Sequence, residues 1–310
     1  MDEIRNINTI ENILEYINRA KENLSPDFLL ILLGPTASGK TKLSVSLAKE
    51  LNAEIISADS RQVYKNLNIG SGKDLEEYRN IPYHLIDIIE PKEKYSVKEF
   101  RKDFFKAYDE IRSKNKQAIL CGGTGSYIQS ILQQQPYSEI PKNEGFELDY
   151  LDKSKEEIIE ILKKKDIPKD FNIDWNNKKR LIRALEILEY LEINELPSIK
   201  SEIIKDYVVI GLNPNLNTRR EKIDIRLVQR IEQGMIKEVE DLISSGLSHE
   251  QIQWFGLEYK YISYYLLGLM SKEEFKDKLK TEIHRFAKRQ MTYFRKMEKD
   301  GIKIHWIDID

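Results

Sequence analysis

The residues with the clearest chemical potential are Gly34-Pro35-Thr36-Ala37-Ser38-Gly39-Lys40-Thr41, a match to G-x-x-x-x-G-K-[ST]. The pattern follows a short apolar run and opens a helical one, which is the setting its chemistry needs. Its glycines let backbone N–H groups approach phosphate oxygens, and the helix N-terminus behind adds a favourable field. Lys40 can neutralise two adjacent phosphates, and the Thr41 hydroxyl can hold Mg²⁺. Such a loop does not name a reaction. In most chains that carry it, it binds a nucleoside triphosphate. It can equally grip a pyrophosphate leaving group, whose growing charge would be stabilised by fixed N–H dipoles, Lys40 and a metal ion.

A second segment, Ser57-Ala58-Asp59-Ser60-Arg61-Gln62-Val63-Tyr64, follows another apolar run. In a parallel α/β sheet, the C-terminal strand ends border the ligand crevice. Asp59 is therefore expected near the phosphate loop. There it can ligate Mg²⁺ or take a proton from a nucleophile. Asp and Ser after a strand also serve as helix N-caps, so the segment alone leaves both uses open.

The elements that must position these residues are visible in the hydrophobic pattern. Residues 28–33, 54–57, 85–89 and 118–121 are short apolar runs of the kind buried on both faces of a parallel sheet. Helical patterns at residues 42–51 and 97–112 separate them, which implies an α/β domain. Residues 207–211 and 304–307 are expected to extend the same sheet. Ile4, Ile7, Ile10, Leu14, Ile17 and Leu24 predict an amphipathic N-terminal helix. Ile223, Leu227, Ile231, Met235 and Val239 form one stripe at four-residue intervals. The resulting expectation is a helical extension over residues 1–27 and a P-loop core over 28–136 and 205–310 with C-terminal helices. Residues 137–204, rich in Lys, Glu and Asp, read as a small helical insertion.

The blocks beyond the phosphate loop make a resemblance specific. Residues 56–64, Ile69-Gly70-Ser71-Gly72-Lys73, Pro82-Tyr83-His84-Leu85-Ile86-Asp87 and residues 95–100 occur in order. They are followed by Gly122-Gly123-Thr124-Gly125-Ser126-Tyr127, by residues 179–186 and by Ala287-Lys288-Arg289-Gln290-Met291-Thr292. Together they resemble the tRNA dimethylallyltransferase family over most of residues 28–306. The resemblance implies a P-loop NTPase-like parallel sheet flanked by helices. It implies transfer of a dimethylallyl group from dimethylallyl pyrophosphate to N6 of adenosine 37 in a tRNA anticodon loop, with Mg²⁺. It implies that Asp59 is the general base, that Thr124 helps place the reacting groups, and that Gly34 to Thr41 and Arg226 hold the pyrophosphate. It further implies that Asp59, Ser60, Arg61 and Gln62, with Lys179, Arg180 and Arg183 of the insertion and Lys288, Arg289 and Gln290, contact tRNA.

That chemistry is self-consistent. An exocyclic adenine amine is a weak nucleophile, whereas an allylic carbon with a stabilised leaving group is a strong electrophile. Leaving-group stabilisation plus one positioned base is a sufficient kit. The acceptor must leave its stack, as bases of single-stranded loops do, and Trp254, Phe255 and Tyr259 are aromatic candidates for stacking. A P-loop small-molecule kinase would explain residues 34–41 but not 59–64 or 122–127. A transferase for free adenine nucleotides would leave the helical region after residue 137 without a use.

Bulk properties limit how RNA is held. The 310 residues are 40% hydrophobic and 33% charged with a net charge of −2, so any RNA contact must come from a local basic surface. One is expected on the last long helix, where Ile283, Ala287, Met291, Phe294 and Met297 share a face opposite Arg285, Lys288, Arg289, Thr292, Arg295 and Lys296. Cys121 is the only cysteine; it reads as a small buried residue, and no Cys/His spacing suits zinc. No apolar run approaches the roughly 20 residues of a membrane span, so a cytoplasmic protein is expected; a monomer is also expected, though no residue pattern fixes the oligomeric state. Two departures from the family pattern stand out: the segment from Gln135 to Asn176 is short, and Glu258 lies in an altered local arrangement.

Overall fold

The computed structural model describes residues 2–143, 145–197 and 202–309, with side chains from residue 10 onward. Met1–Leu132 with Ile204–Asp310 form one compact unit, and Gln133–Ile203 a second. In the first unit, six strands make a single parallel sheet among the described residues: β1 (Leu29–Leu33), β2 (Ala53–Ser57), β3 (Tyr83–His84), β4 (Gln117–Gly122), β5 (Tyr207–Pro214) and β6 (His305–Ile309). Their order is β3-β2-β4-β1-β5-β6, and every adjacent pair is parallel.

All five residues of β1 are buried, as both faces of a central parallel strand must be. Alternate residues enter two different cores. Leu30 and Leu32, with Ile55, Ile119 and Ile210, face a core closed by α1 (Asp2–Ala20) and α2 (Lys40–Glu50). Ile13 and Ile17 of α1 are almost fully buried there, so the N-terminal helix is part of the core; Ile4 and Ile7 lie outside the described side chains. Leu29, Ile31 and Leu33, with Ile56, Leu120 and Val209, face the larger core. That face is covered by α3 (Val97–Ser113), α4 (Gly125–Leu132), α7 (Leu216–Glu232), α8 (Met235–Ser244), α9 (His249–Trp254), α10 (Leu257–Leu266) and α11 (Lys272–Lys299). The second unit holds α5 (Lys155–Leu162) and α6 (Lys178–Ile193), which bury Ile158, Leu162, Leu181 and Leu185 in a small core of their own.

Three expectations need correction. Residues 85–89 are not a strand, because Leu85 and Asp87 adopt φ of 61° and 56°, values a ladder does not accommodate. The segment pairs instead with the loop after β2, through Asp87 N–H to the Gln62 carbonyl (3.0 Å) and Ile88 N–H to that of Val63 (2.9 Å). The buried Lys73 ammonium secures it by pairing with Asp87 and donating to the Tyr64 carbonyl at 2.7 Å. The stripe from Ile223 to Val239 is split between α7 and α8 by Gly234, whose φ of 102° ends any helix. The last helix starts well before Ile283, at a capping box formed by Ser271 and Glu274. Its apolar face, Ile283, Ala287, Met291, Phe294 and Met297, is buried as expected.

Near the opposite end of the sheet, Glu54 of β2 is buried with His84 Nε2 at 2.8 Å, Lys116 Nζ at 2.9 Å and Lys114 Nζ at 3.3 Å. Burial by itself raises this carboxyl, but the bonds from His84, Lys116 and Lys114 outweigh it and hold it at about 2. A depressed folded-state value gives stability that is present above the ordinary carboxyl range, about 4.3, and lost as pH falls toward the folded value. Glu54→Gln should therefore lower Tm by a few degrees at neutral pH, and the two proteins should converge between about pH 4.5 and 2. Thermal melts across that range test this; parallel curves would remove Glu54 from the role.

Candidate active site

Strand register decides which residues meet. Leu33 of β1 pairs with Gly122 of β4 and with Gly211 of β5, and Ser57 of β2 pairs with Cys121. The chain therefore leaves β1, β2 and β4 along one edge of the sheet. The loops after β2 and β4 are in direct contact. Thr124 N–H donates to the Ala58 carbonyl at 3.1 Å, and Ser60 N–H donates to Thr124 Oγ1 at 3.1 Å. A Cβ at Gly122 would lie 2.2 Å from the Ala58 carbonyl oxygen, so only glycine allows this approach.

Asp59 Oδ1 accepts the Arg61 N–H at 2.8 Å. This is a local turn bond that fixes the carboxylate, and among the described residues Oδ2 has no hydrogen-bond partner. No helix follows Asp59, so the capping use is not what the structure shows: Oδ1 closes a local turn, and Oδ2 is left open beside the cavity. Thr124 Oγ1, having accepted from Ser60, still has its own proton to donate.

The phosphate loop folds at the same edge, with left-handed backbone at Ala37 (φ 61°) and Gly39 (φ 78°). Lys40 Nζ donates to its own loop, to the Pro35 carbonyl at 2.7 Å. Arg226 of α7 reaches the loop and donates to Thr36 Oγ1. Burial lowers the Lys40 ammonium to about 8, and Arg226 adds to that. Burial, and then Arg230 one turn along α7, lowers Arg226 to about 10. Desolvated cations that depress one another form a site in want of an anion. Arg230 is itself buried and lies 3.5 Å from Asp74. Burial raises Glu258, at the start of α10, against the pull of Arg230 and Arg226.

These groups line one cavity of about 510 Å³, a size suited to a small ligand or an extruded base. It brings together Thr36, Ala37, Lys40, Thr41, Asp59, Ser60, Arg61, Gln62, Thr124, Arg226, Arg289 and Gln290 from the sequence expectation. Gly34, Pro35, Ser38 and Gly39 shape the loop behind it. Lys288 lies on a separate groove with Arg219 and Arg295. Lys179, Arg180 and Arg183 belong to the second unit. There Arg180 pairs with Asp174 at 2.6 Å, and Arg183 with Glu186 at 2.7 Å and the Ile140 and Pro141 carbonyls; Lys179, 3.7 Å from Glu147, and Arg180 are both exposed.

Several side chains are used differently from the sequence reading. Gln62 is buried, accepts from Ser57 Oγ at 2.9 Å and donates to the Gly72 carbonyl at 3.0 Å. Gln290 is buried too: its carbonyl accepts the Thr36 N–H at 2.8 Å, and its amide donates to the Gly123 carbonyl at 3.0 Å. Both amides are committed inside the protein. Phe255 and Tyr259 are core residues, and of the three aromatic candidates only Trp254 is exposed. Arg230, Asp74 and Phe286 line the cavity without having been anticipated. The available signal for Arg230 was its spacing, four residues after Arg226 on one helix face.

Gln290→Leu keeps the volume but leaves the Thr36 N–H and Gly123 carbonyl unpaired. It should cost about 1–3 kcal/mol of stability, read from urea unfolding, and should lower turnover by loosening both loops. Wild-type stability would show that neither bond matters.

Known proteins place this geometry in context. The family model described as IPP transferase matches residues 62–297. A tRNA dimethylallyltransferase 2 from Phocaeicola vulgatus is 47% identical over 290 residues, covering 90% of this chain and 92% of the relative. A protein of the same description from Treponema denticola is 43% identical, covering 90% and 95%. The crystal structure of a tRNA isopentenylpyrophosphate transferase from Bacillus halodurans superposes with a TM-score of 0.66 at 34% identity, covering 92% of this chain and 91% of that one. A eukaryotic dimethylallyltransferase acting on tRNA shares the fold, with a TM-score of 0.70 at 23% identity over 91% of this chain and 74% of that one. By family model, identity and superposition, the chain belongs to the IPP transferase family.

Proposed function

We propose that this protein transfers a dimethylallyl group from dimethylallyl pyrophosphate to N6 of adenosine 37 in tRNA. The observation that carries this reading is the convergence of a desolvated cationic phosphate loop and a fixed carboxylate in one cavity. The N6 lone pair attacks the first carbon of the allyl chain as the carbon–oxygen bond to pyrophosphate breaks. The bonding pair leaves with pyrophosphate, held by the N–H groups of the phosphate loop, Lys40 and Arg226. Asp59 takes the proton that N6 loses. The Thr124 hydroxyl, anchored by Ser60, orients the reacting groups. The products are N6-dimethylallyladenosine and pyrophosphate.

Mg²⁺ fits these residues. Thr41 lines the cavity beside Asp59 and Asp74, and Mg²⁺ needs few protein oxygens when phosphates and water complete its octahedron. Among the described residues no group of three or more His, Cys, Asp or Glu is placed to hold a metal ion, so the substrate would supply most ligands. When bound, the ion would neutralise charge on the departing pyrophosphate. The tRNA backbone is met by the exposed cations of α11, Lys288, Arg289 and Arg295, with Arg61 beside the cavity. Such contacts weaken with salt.

Asp59→Asn should keep tRNA binding but lower turnover by roughly 10²–10⁴-fold. Mass spectrometry of nucleosides from tRNA incubated with dimethylallyl pyrophosphate and Mg²⁺ reads the product. Turnover near that of the wild type would remove Asp59 from catalysis, and the absence of prenylated adenosine with wild-type protein would overturn the function.

A further inference from the structure

Two aromatic rings at the cavity have no core role that explains their exposure. Trp254, at the end of α9, is 51% exposed, and Phe286, on α11, is 41% exposed. Both line the cavity that contains Asp59. Their neighbours Phe255 and Tyr259 are each 1% exposed, so burial was available in this region and these two rings do not take it. An isolated exposed aromatic needs no explanation. Two beside one cavity, from separate helices, do.

Each ring also carries an arginine. The Arg61 guanidinium lies 5.3 Å from the centroid of Trp254, and that of Arg289 lies 5.9 Å from that of Phe286. Neither arginine has a carboxylate partner among the described residues. Trp254 is held from behind by edge contacts with Tyr64 and Phe255, both at 6.0 Å. It is therefore a supported surface, not a loose side chain. Lys288 and Arg289 follow Phe286 on α11 and are exposed, so the surroundings favour a polyanion.

We infer that Trp254 and Phe286 are stacking platforms for the two nucleotides on either side of the target adenosine. The inference rests on tRNA being the acceptor. A base that leaves its stack to reach Asp59 breaks one stacking contact on each side, and the two neighbours are left with bare faces. Aromatic rings and guanidinium planes restore those contacts in single-stranded RNA. A ring paired with an unpartnered arginine offers a base a face and the adjoining phosphate a cation. Both platforms specify an unstacked loop and disfavour a continuous duplex.

The test uses the full-length protein with unmodified tRNA, and with anticodon stem-loops carrying 2-aminopurine on the 5′ or the 3′ side of the target adenosine. Wild-type protein should change the fluorescence of both probes. Trp254→Leu should abolish the response on one side and Phe286→Leu on the other. Each should raise KM for tRNA roughly tenfold or more, with KM for dimethylallyl pyrophosphate unmoved. Trp254→Phe and Phe286→Tyr, which keep a ring, should restore both readouts. Responses retained by both Leu variants, or a tRNA KM within about twofold of wild type, would overturn the inference. So would a dimer of this chain that the Leu variants dissociate. Prenylation by a wild-type protein that leaves both probes unchanged overturns the platforms and spares the function. Probe responses without any prenylated product support the platforms and overturn the function.

Discussion

One buried amide holds the catalytic edge together. Gln290 projects from the long C-terminal helix between the loop after β1 and the loop after β4, accepting from Thr36 and donating to Gly123. Because a glutamine amide has a fixed donor and acceptor separation, it sets the spacing of the two loops. It also makes the helix that presents Arg289 and Lys288 to solvent part of the same rigid element as the phosphate loop. The apolar side of that helix is buried along its length, which gives the amide a firm base. The phosphate loop and the exposed basic face of α11 are thus positioned by one helix.

The segment after β2 is fixed by the same economy of polar groups fully paired inside the fold. Glu238 of α8 accepts the backbone N–H groups of Asn68, Ile69 and Gly70 and the Tyr259 hydroxyl. Lys73 binds the Tyr64 carbonyl, Asn68 and Asp87. Together the half-buried Glu238 and the buried Lys73 brace the segment that follows Asp59, and a satisfied polar network specifies one conformation. In the cavity the balance is deliberately incomplete. Burial lowers both Lys40 and Arg226; Asp59 opposes this at both, and Glu258 and Asp74 at Arg226, without cancelling it.

Much of this was legible in the chain because it depends on local pattern. The apolar runs at 28–33, 54–57, 118–121 and 207–211 became β1, β2, β4 and β5, since a strand buried on both faces needs a continuous apolar run. The run at 85–89 failed for a tertiary reason: Lys73 and the loop 62–64 draw it out of the ladder, and no periodicity reports that. The stripe across Gly234 failed because spacing carries apolar position but not backbone handedness. Gln62 and Gln290 sit in blocks that invite an RNA-binding role, yet burial commits both to internal bonds. Residue type cannot distinguish a glutamine that reads a base from one that spaces two loops.

By itself the sequence determined the G-x-x-x-x-G-K-[ST] loop, most of the order of strands and helices, and the family, because each rests on short blocks of residues adjacent in the chain. Tertiary structure decided the rest. It made the register that puts Asp59 beside Thr124, the reach of Arg226 to Thr36, the pairing of Arg230 with Asp74, and the exposure of Trp254 and Phe286 beside buried Phe255 and Tyr259. Those facts join residues far apart in sequence, and burial and long-range distance are properties of packing that no local pattern encodes.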